Sequence, residues 1–168
     1  MRRANICLIL GILVPGILMN TACGLRSIEK PEFCLPLNAR NLEFYWNFSS
    51  EEFLEWCGDI YQDYFRVHII TDSGIYPVFQ KDIDDLCGSV RPALLKFDKS
   101  SDSCISSAGN DCIVWTTDWK FESADLSEIV AGADQDIPVT IQFSAGDVGD
   151  SIFDSAILLD DIRITTGD

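Results

Sequence analysis

Histidine, methionine and basic residues are scarce in this 168-residue chain. His68 is its single histidine, and its two methionines are Met1 and Met19. With one imidazole and no cysteine pair at C-x-x-C spacing, the ligands for a zinc centre are lacking. No Ser/His/Asp or Cys/His arrangement is visible either, and His68 lies between Val67 and Ile69 in a strand-like run, where a structural role is expected. Lys and Arg number 12 against 27 Asp and Glu, a net charge of −15. A surface of that sign repels phosphate backbones, which excludes nucleic acid as a partner. The surplus acid either keeps the chain soluble or awaits a divalent cation.

The basic residues that do occur begin with Arg2 and Arg3, followed by an apolar run from Ile6 to Met19 and by the small residues Thr21 and Ala22. No acid precedes Glu29. A basic start, an apolar stretch and small residues describe a secretory signal over residues 1–22. The run is about 14 residues, short of the roughly 20 that span a bilayer as a helix. Thr21-Ala22-Cys23-Gly24 resembles the lipobox of bacterial lipoproteins, although Asn20 stands where leucine is usual. The resemblance implies lipidation at Cys23 and a membrane held through that N-terminal lipid. Free secretion, with Cys23 an ordinary cysteine, is the alternative. Removal of residues 1–22 leaves 10 basic and 27 acidic residues, a balance of −17. The expected location is the cell envelope, on the outer membrane or cell surface.

Cys7 falls in the signal and Cys23 at its end, leaving five cysteines in an oxidising compartment. Cys104 and Cys112 enclose a Ser/Gly/Asn-rich loop and are expected to pair. Cys57 with Cys87 is the next candidate, with Cys34 the spare.

Residues 24–39, with Pro31 and Pro36, predict a tether, so that residues 23–40 lead into a domain over 41–168. Aromatic or alternating runs predict strands at residues 41–48, 64–71, 75–79, 112–116, 138–143 and 156–164. Pro77 places the third of these at an edge. Residues 80–111 predict a surface excursion pinned by disulfides, and Ser123–Gly132 carries a short helical spacing. Strands between turn signals, without long alternating helices, indicate an all-β antiparallel sandwich.

Gly146-Asp147-Val148-Gly149-Asp150-Ser151-Ile152-Phe153-Asp154 packs three carboxylates and two glycines between two strands. Ca²⁺ takes six to eight oxygen ligands, and glycine lets carbonyls turn toward it. The pattern is not that of an EF-hand, and an acidic turn that caps its own backbone is the plainer reading.

The stretch GDVGDSIFDSAILLDDIRI, Gly146 to Ile164, resembles the C-terminal signature of choice-of-anchor L type domains of bacterial surface proteins. Ser50-Glu51-Glu52-Phe53-Leu54-Glu55-Trp56, then Gly58, Tyr61, Asp63 and Phe65, matches an upstream segment of those domains in the same order. Gln62 and Asp161 stand where that family usually has Asn. The resemblance spans about residues 41–165 and implies an extracellular jelly-roll sandwich without settled catalytic activity. A jelly roll would bring the 51–63 loop toward the 147–154 loop. The cation ligands this implies are Glu52, Glu55, Asp63, Asp147, Asp150 and Asp154, with Asp160 either behind them or exposed on its strand. The expected function is a non-enzymatic surface-binding or adhesion module stabilised by calcium, its partner an unknown surface protein or glycan. A carbohydrate-binding domain, using Trp46, Trp56, Trp115, Trp119 and the tyrosines, is the alternative.

Overall fold

In the computed structural model the chain is described over residues 7–10, 33–94, 113–146, 148 and 155–167. The central strand is β3 (Ala39–Ser50), which alternates inward Leu42, Phe44, Trp46 and Phe48 with outward Glu43 and Tyr45. That period of two is what a half-buried strand requires. β3 pairs antiparallel with β10 (Ser155–Thr166) on one side. On the other side it pairs with β8 (Lys120–Asp125) along its first half and with β7 (Trp115–Thr116) at its end. β6 (Arg91–Pro92) adds to β7. The backbone of β1 (Cys7–Leu10), inside the expected export signal, runs parallel along the far edge of β10.

The second sheet has the order β2-β9-β4-β5, formed by β2 (Phe33–Leu35), β9 (Ile137–Gly146), β4 (Tyr64–Thr71) and β5 (Gly74–Asp82). Strand β5 lies at the sheet edge, as Pro77 requires. Opposite Pro77, the β4–β5 register shifts between Val67 and His68. β4 buries Phe65, Val67 and Ile69 and turns the half-buried His68 to its other face.

The two sheets meet in an aromatic layer. Phe44 and Trp46 of the first sheet pack against Phe65, Phe79 and Phe143 of the second, with ring centroids 5.4–6.3 Å apart. Edge-to-face contacts at that spacing add to the burial of the rings themselves. The sandwich is therefore antiparallel in its pairing, apart from β1, and the expected fold class holds.

Two boundaries differ from the sequence reading. The sandwich takes in residues from β2 onward, because Leu35 and Ala39 are core residues and β2 pairs with β9. The first part of the expected surface excursion also belongs to the core. Helix α1 (Ile83–Leu86) buries Ile83 and Leu86, and the Asp82 side chain caps it by accepting from the Asp85 amide. Helix α2 (Ser127–Val130) occupies only the middle of the predicted helical spacing and buries Ile129, whereas Ser123–Asp125 belong to β8, paired with β3.

Candidate functional site

Four strand ends converge at one end of the sandwich. Ser50, the last residue of β3, is opposite Ser155, the first of β10. Tyr64, the first of β4, is opposite Gly146, the last of β9. The 51–63 loop and the 147–154 segment both leave from this end. The topology thus brings together the strand ends that flank two acidic stretches far apart in sequence.

The 51–63 loop is fastened at several points. Phe53 is buried and packs edge-on against Phe48, 5.5 Å between centroids, so the loop is plugged into the core. Trp56 meets Tyr61 at 4.8 Å. A disulfide joins Cys57 to Cys87, with Cα atoms 6.0 Å apart, which bears out that pairing. Cys34 is free and exposed, whereas Cys104, Cys112 and Cys23 lie outside the described residues. Gln62 donates to the Asp59 carbonyl (2.9 Å) and the Asp84 carboxylate (3.1 Å), and its own carbonyl accepts from the Asp84 amide (2.9 Å). Gln62 thus ties the loop to α1. Leu54 has φ 72 and Gly58 φ 83, so the loop turns twice through left-handed backbone, once without a glycine.

Three carboxylates of this loop are buried. Glu51 is 6 % exposed, and Glu52 and Asp63 are 0 %. The Ser50 hydroxyl accepts from the Glu52 amide at 2.9 Å and fixes the start of the loop. Asp63 Oδ1 accepts from the Val148 amide at 3.0 Å across 85 residues of chain. Val148, the described residue of the 147–154 stretch, is therefore in contact with the 51–63 loop. Ser155, 3 % exposed and in register with Ser50, has no hydrogen-bond partner for its hydroxyl among the described residues. Burying carboxylates demands compensation by hydrogen bonds, a proton or a cation.

Of the expected ligands, Glu52 and Asp63 are buried at this end and Glu55 is exposed to solvent. Glu51 is the buried acid that sequence reasoning passed over. The serine run before it hid the fact that β3 stays buried through Ser50. Asp147, Asp150 and Asp154 lie outside the described residues. Asp160 is exposed, on the outer face of β10, so the inward alternative for it falls away. Among the described residues no group of three or more His, Cys, Asp or Glu side chains is arranged to hold a metal. The buried polar side chains at this end are carboxylates and hydroxyls, oxygen groups of the kind that hard cations prefer and zinc does not.

Gly146, the first residue of the C-terminal signature, has a local reason. A Cβ there would overlap the ring of Tyr64, which lies across it. The Arg66 guanidinium caps that ring from above, 3.7 Å from its centroid.

No family model, curated protein or solved structure matches this chain. The class that fold and site define is an antiparallel β-sandwich with buried acids at one end.

Proposed function

We propose that this is a non-enzymatic binding or adhesion module of a bacterial cell envelope, related to choice-of-anchor L type domains and stabilised by calcium at the 51–63 end. The observation that supports the calcium reading is the hydrogen bond of the wholly buried Asp63 to Val148, a residue flanked in sequence by acids. Glu51, Glu52 and Asp63 are buried at this end, and a divalent cation is one means of compensating buried carboxylates. Ser155 and Ser50 add neutral oxygens beside them. The chain crosses from sheet to sheet at β1–β2, β2–β3, β3–β4, β5–β6, β8–β9 and β9–β10, a back-and-forth connectivity that supports the jelly-roll reading. The basic start, the apolar run and Cys23 support export and a lipid tether.

The test is thermal unfolding of residues 23–168. Calcium at about 100 times its Kd adds about 2.7 kcal/mol, or about 5–10 °C for a domain of this size. EDTA is expected to lower the melting temperature by that amount and added Ca²⁺ to restore it. An unchanged melt with no metal in the native mass spectrum removes the calcium reading. Intact mass of membrane-extracted protein tests the lipid at Cys23.

A further inference from the structure

Strand β10 is covered on both sides along only part of its length. β3 pairs with it on one side from Ser155 to Thr166. On the other side the backbone of β1 runs parallel, with Cys7 opposite Ala156, Leu8 opposite Ile157, Ile9 opposite Leu158 and Leu10 opposite Leu159. That pairing stops where the charges begin. Asp160, Asp161 and Arg163 are exposed, and the β3–β10 register shifts between Asp160 and Arg163, with Asp161 at φ 46. Charges and a bulge of this kind keep a free strand edge from pairing with other chains. Residues 155–159 have neither. Ile157 and Leu159 are core residues, Ala156 and Leu158 lie on the opposite face, and none of them is charged. The remaining edges from β2 onward are defended. β5 holds Pro77, Lys81 and Asp82, β8 holds Lys120, Glu122 and Asp125, and β2 and β6 are three and two residues long.

We infer that the β10 edge at residues 156–159 is an acceptor site for an extended, uncharged apolar segment running parallel to it. The precursor fills the site with its own residues 7–10, and the processed protein fills it with such a segment of a partner. The chemistry of the occupant is that of the strand the structure seats there. Cys7-Leu8-Ile9-Leu10 has no charge and no proline, so every residue keeps its N–H and C=O for the ladder. Main-chain bonds of that kind give strand addition its affinity. Cross-strand neighbours of Ala156 and Leu158 lie beside apolar side chains, which favours apolar residues in the added strand. An acidic segment would meet Asp160 and Asp161 at the end of the site. Removal of residues 1–22 takes β1 away and leaves the outward N–H and C=O groups of this stretch open. The opening of the edge therefore rests on the export reading, whereas the acceptor site itself does not.

The probe is a peptide of residues 2–11, which contains the β1 sequence and is kept soluble by Arg2 and Arg3. It is titrated into residues 23–168 while amide hydrogen exchange is followed by NMR. Saturable binding is expected, with exchange at the outward amides of residues 156–159 slowed by about tenfold or more. The same peptide carrying Leu8→Pro and Ile9→Pro keeps its charge but loses two N–H groups, and is expected to leave exchange unchanged. No slowing at about 1 mM peptide overturns the acceptor site. Equal slowing by the proline peptide makes the binding an attraction of arginine to an acidic surface and overturns it too. Amides already protected without peptide, together with a dimer in sedimentation, put a second copy on the edge and overturn the partner strand. Intact mass of the exported protein tests the export reading separately. A chain that keeps residues 1–22 overturns the opening of the edge, whatever the peptide does.

Discussion

Asp63 Oδ1 and the amide of Val148 are 3.0 Å apart although 85 residues separate them. Asp63 is wholly buried at the entry to β4, and Val148 lies two residues beyond the end of β9. Because β4 and β9 are paired as far as Tyr64 and Gly146, this bond continues the ladder by one further contact, through a side chain. Leaving a buried hydrogen-bonding group without its partner costs about 1–3 kcal/mol. Asp63→Ala is therefore expected to cost about 1–3 kcal/mol in urea unfolding. Asp63→Asn, which keeps one acceptor oxygen, should cost less. If calcium is held here, the melting temperature of both variants should respond less to EDTA than that of the parent chain.

The Cys57–Cys87 disulfide closes a loop with a sequence separation of 30 residues. Cross-linking a loop of that length removes conformations from the unfolded chain and is worth about 3–4 kcal/mol. The double variant Cys57→Ser/Cys87→Ser is expected to lose about that amount in denaturant unfolding. Dithiothreitol should produce a similar loss in the parent. Because Gln62 and Phe53 hold the same loop independently, the core signals in near-ultraviolet circular dichroism should persist in the double variant.

Gly146→Ala places a methyl group into the Tyr64 ring. The ring must leave its position under Arg66, and both the stacking and the β4–β9 ladder end are disturbed. Overpacking of this kind costs about 1–3 kcal/mol. The companion change Tyr64→Ala should remove most of that penalty from the glycine substitution, a coupling that a double-mutant cycle measures.

Asp118 and Arg91 form a doubly hydrogen-bonded ion pair between β6 and the turn after β7. The hydrogen bond from Arg91 holds the Asp118 carboxyl below the ordinary aspartate range. A depressed carboxyl contributes stability that is present above its unfolded pKa and lost as pH falls through its folded value. Both side chains are about half exposed, so the contribution to stability is small. Carboxyl-carbon NMR titration should place the Asp118 midpoint below that of an ordinary aspartate. Arg91→Gln should return it toward the ordinary range.

Local sequence was enough for the strand pattern. Tyr64–Thr71 alternates apolar and polar side chains, and its observed bounds are those the alternation predicts. Pro77 announced an edge strand because its missing N–H cannot serve a central one. The aromatic run at residues 41–48 and the alternation at 138–143 likewise marked β3 and β9, although both strands extend further. β8 was not recognised. Its sequence, Lys120-Phe121-Glu122-Ser123-Ala124-Asp125, leaves Phe121 exposed and buries only Ala124, so its hydrophobic signal is weak. What makes it a strand is the backbone of β3 beside it.

The site divides in the same way. Residue type alone marked the acids of the 51–63 and 147–154 stretches as candidates, because carboxylates and glycines in a loop are cation chemistry wherever they occur. Which acids are buried was a tertiary matter. Glu52 and Asp63 face inward, Glu51 joins them, and Glu55 faces water, differences set by where Phe53, Gln62 and Cys57 anchor the loop. The aromatics show the same limit. Composition could not separate Trp46, sealed between the sheets, from Trp119, which is half exposed. A strand's periodicity states which residues share a face, but only the packing of the second sheet decides which face meets solvent. The scarcity of histidine and of basic residues was complete information from the start, because charge and ligand supply belong to the composition and no fold can add to them.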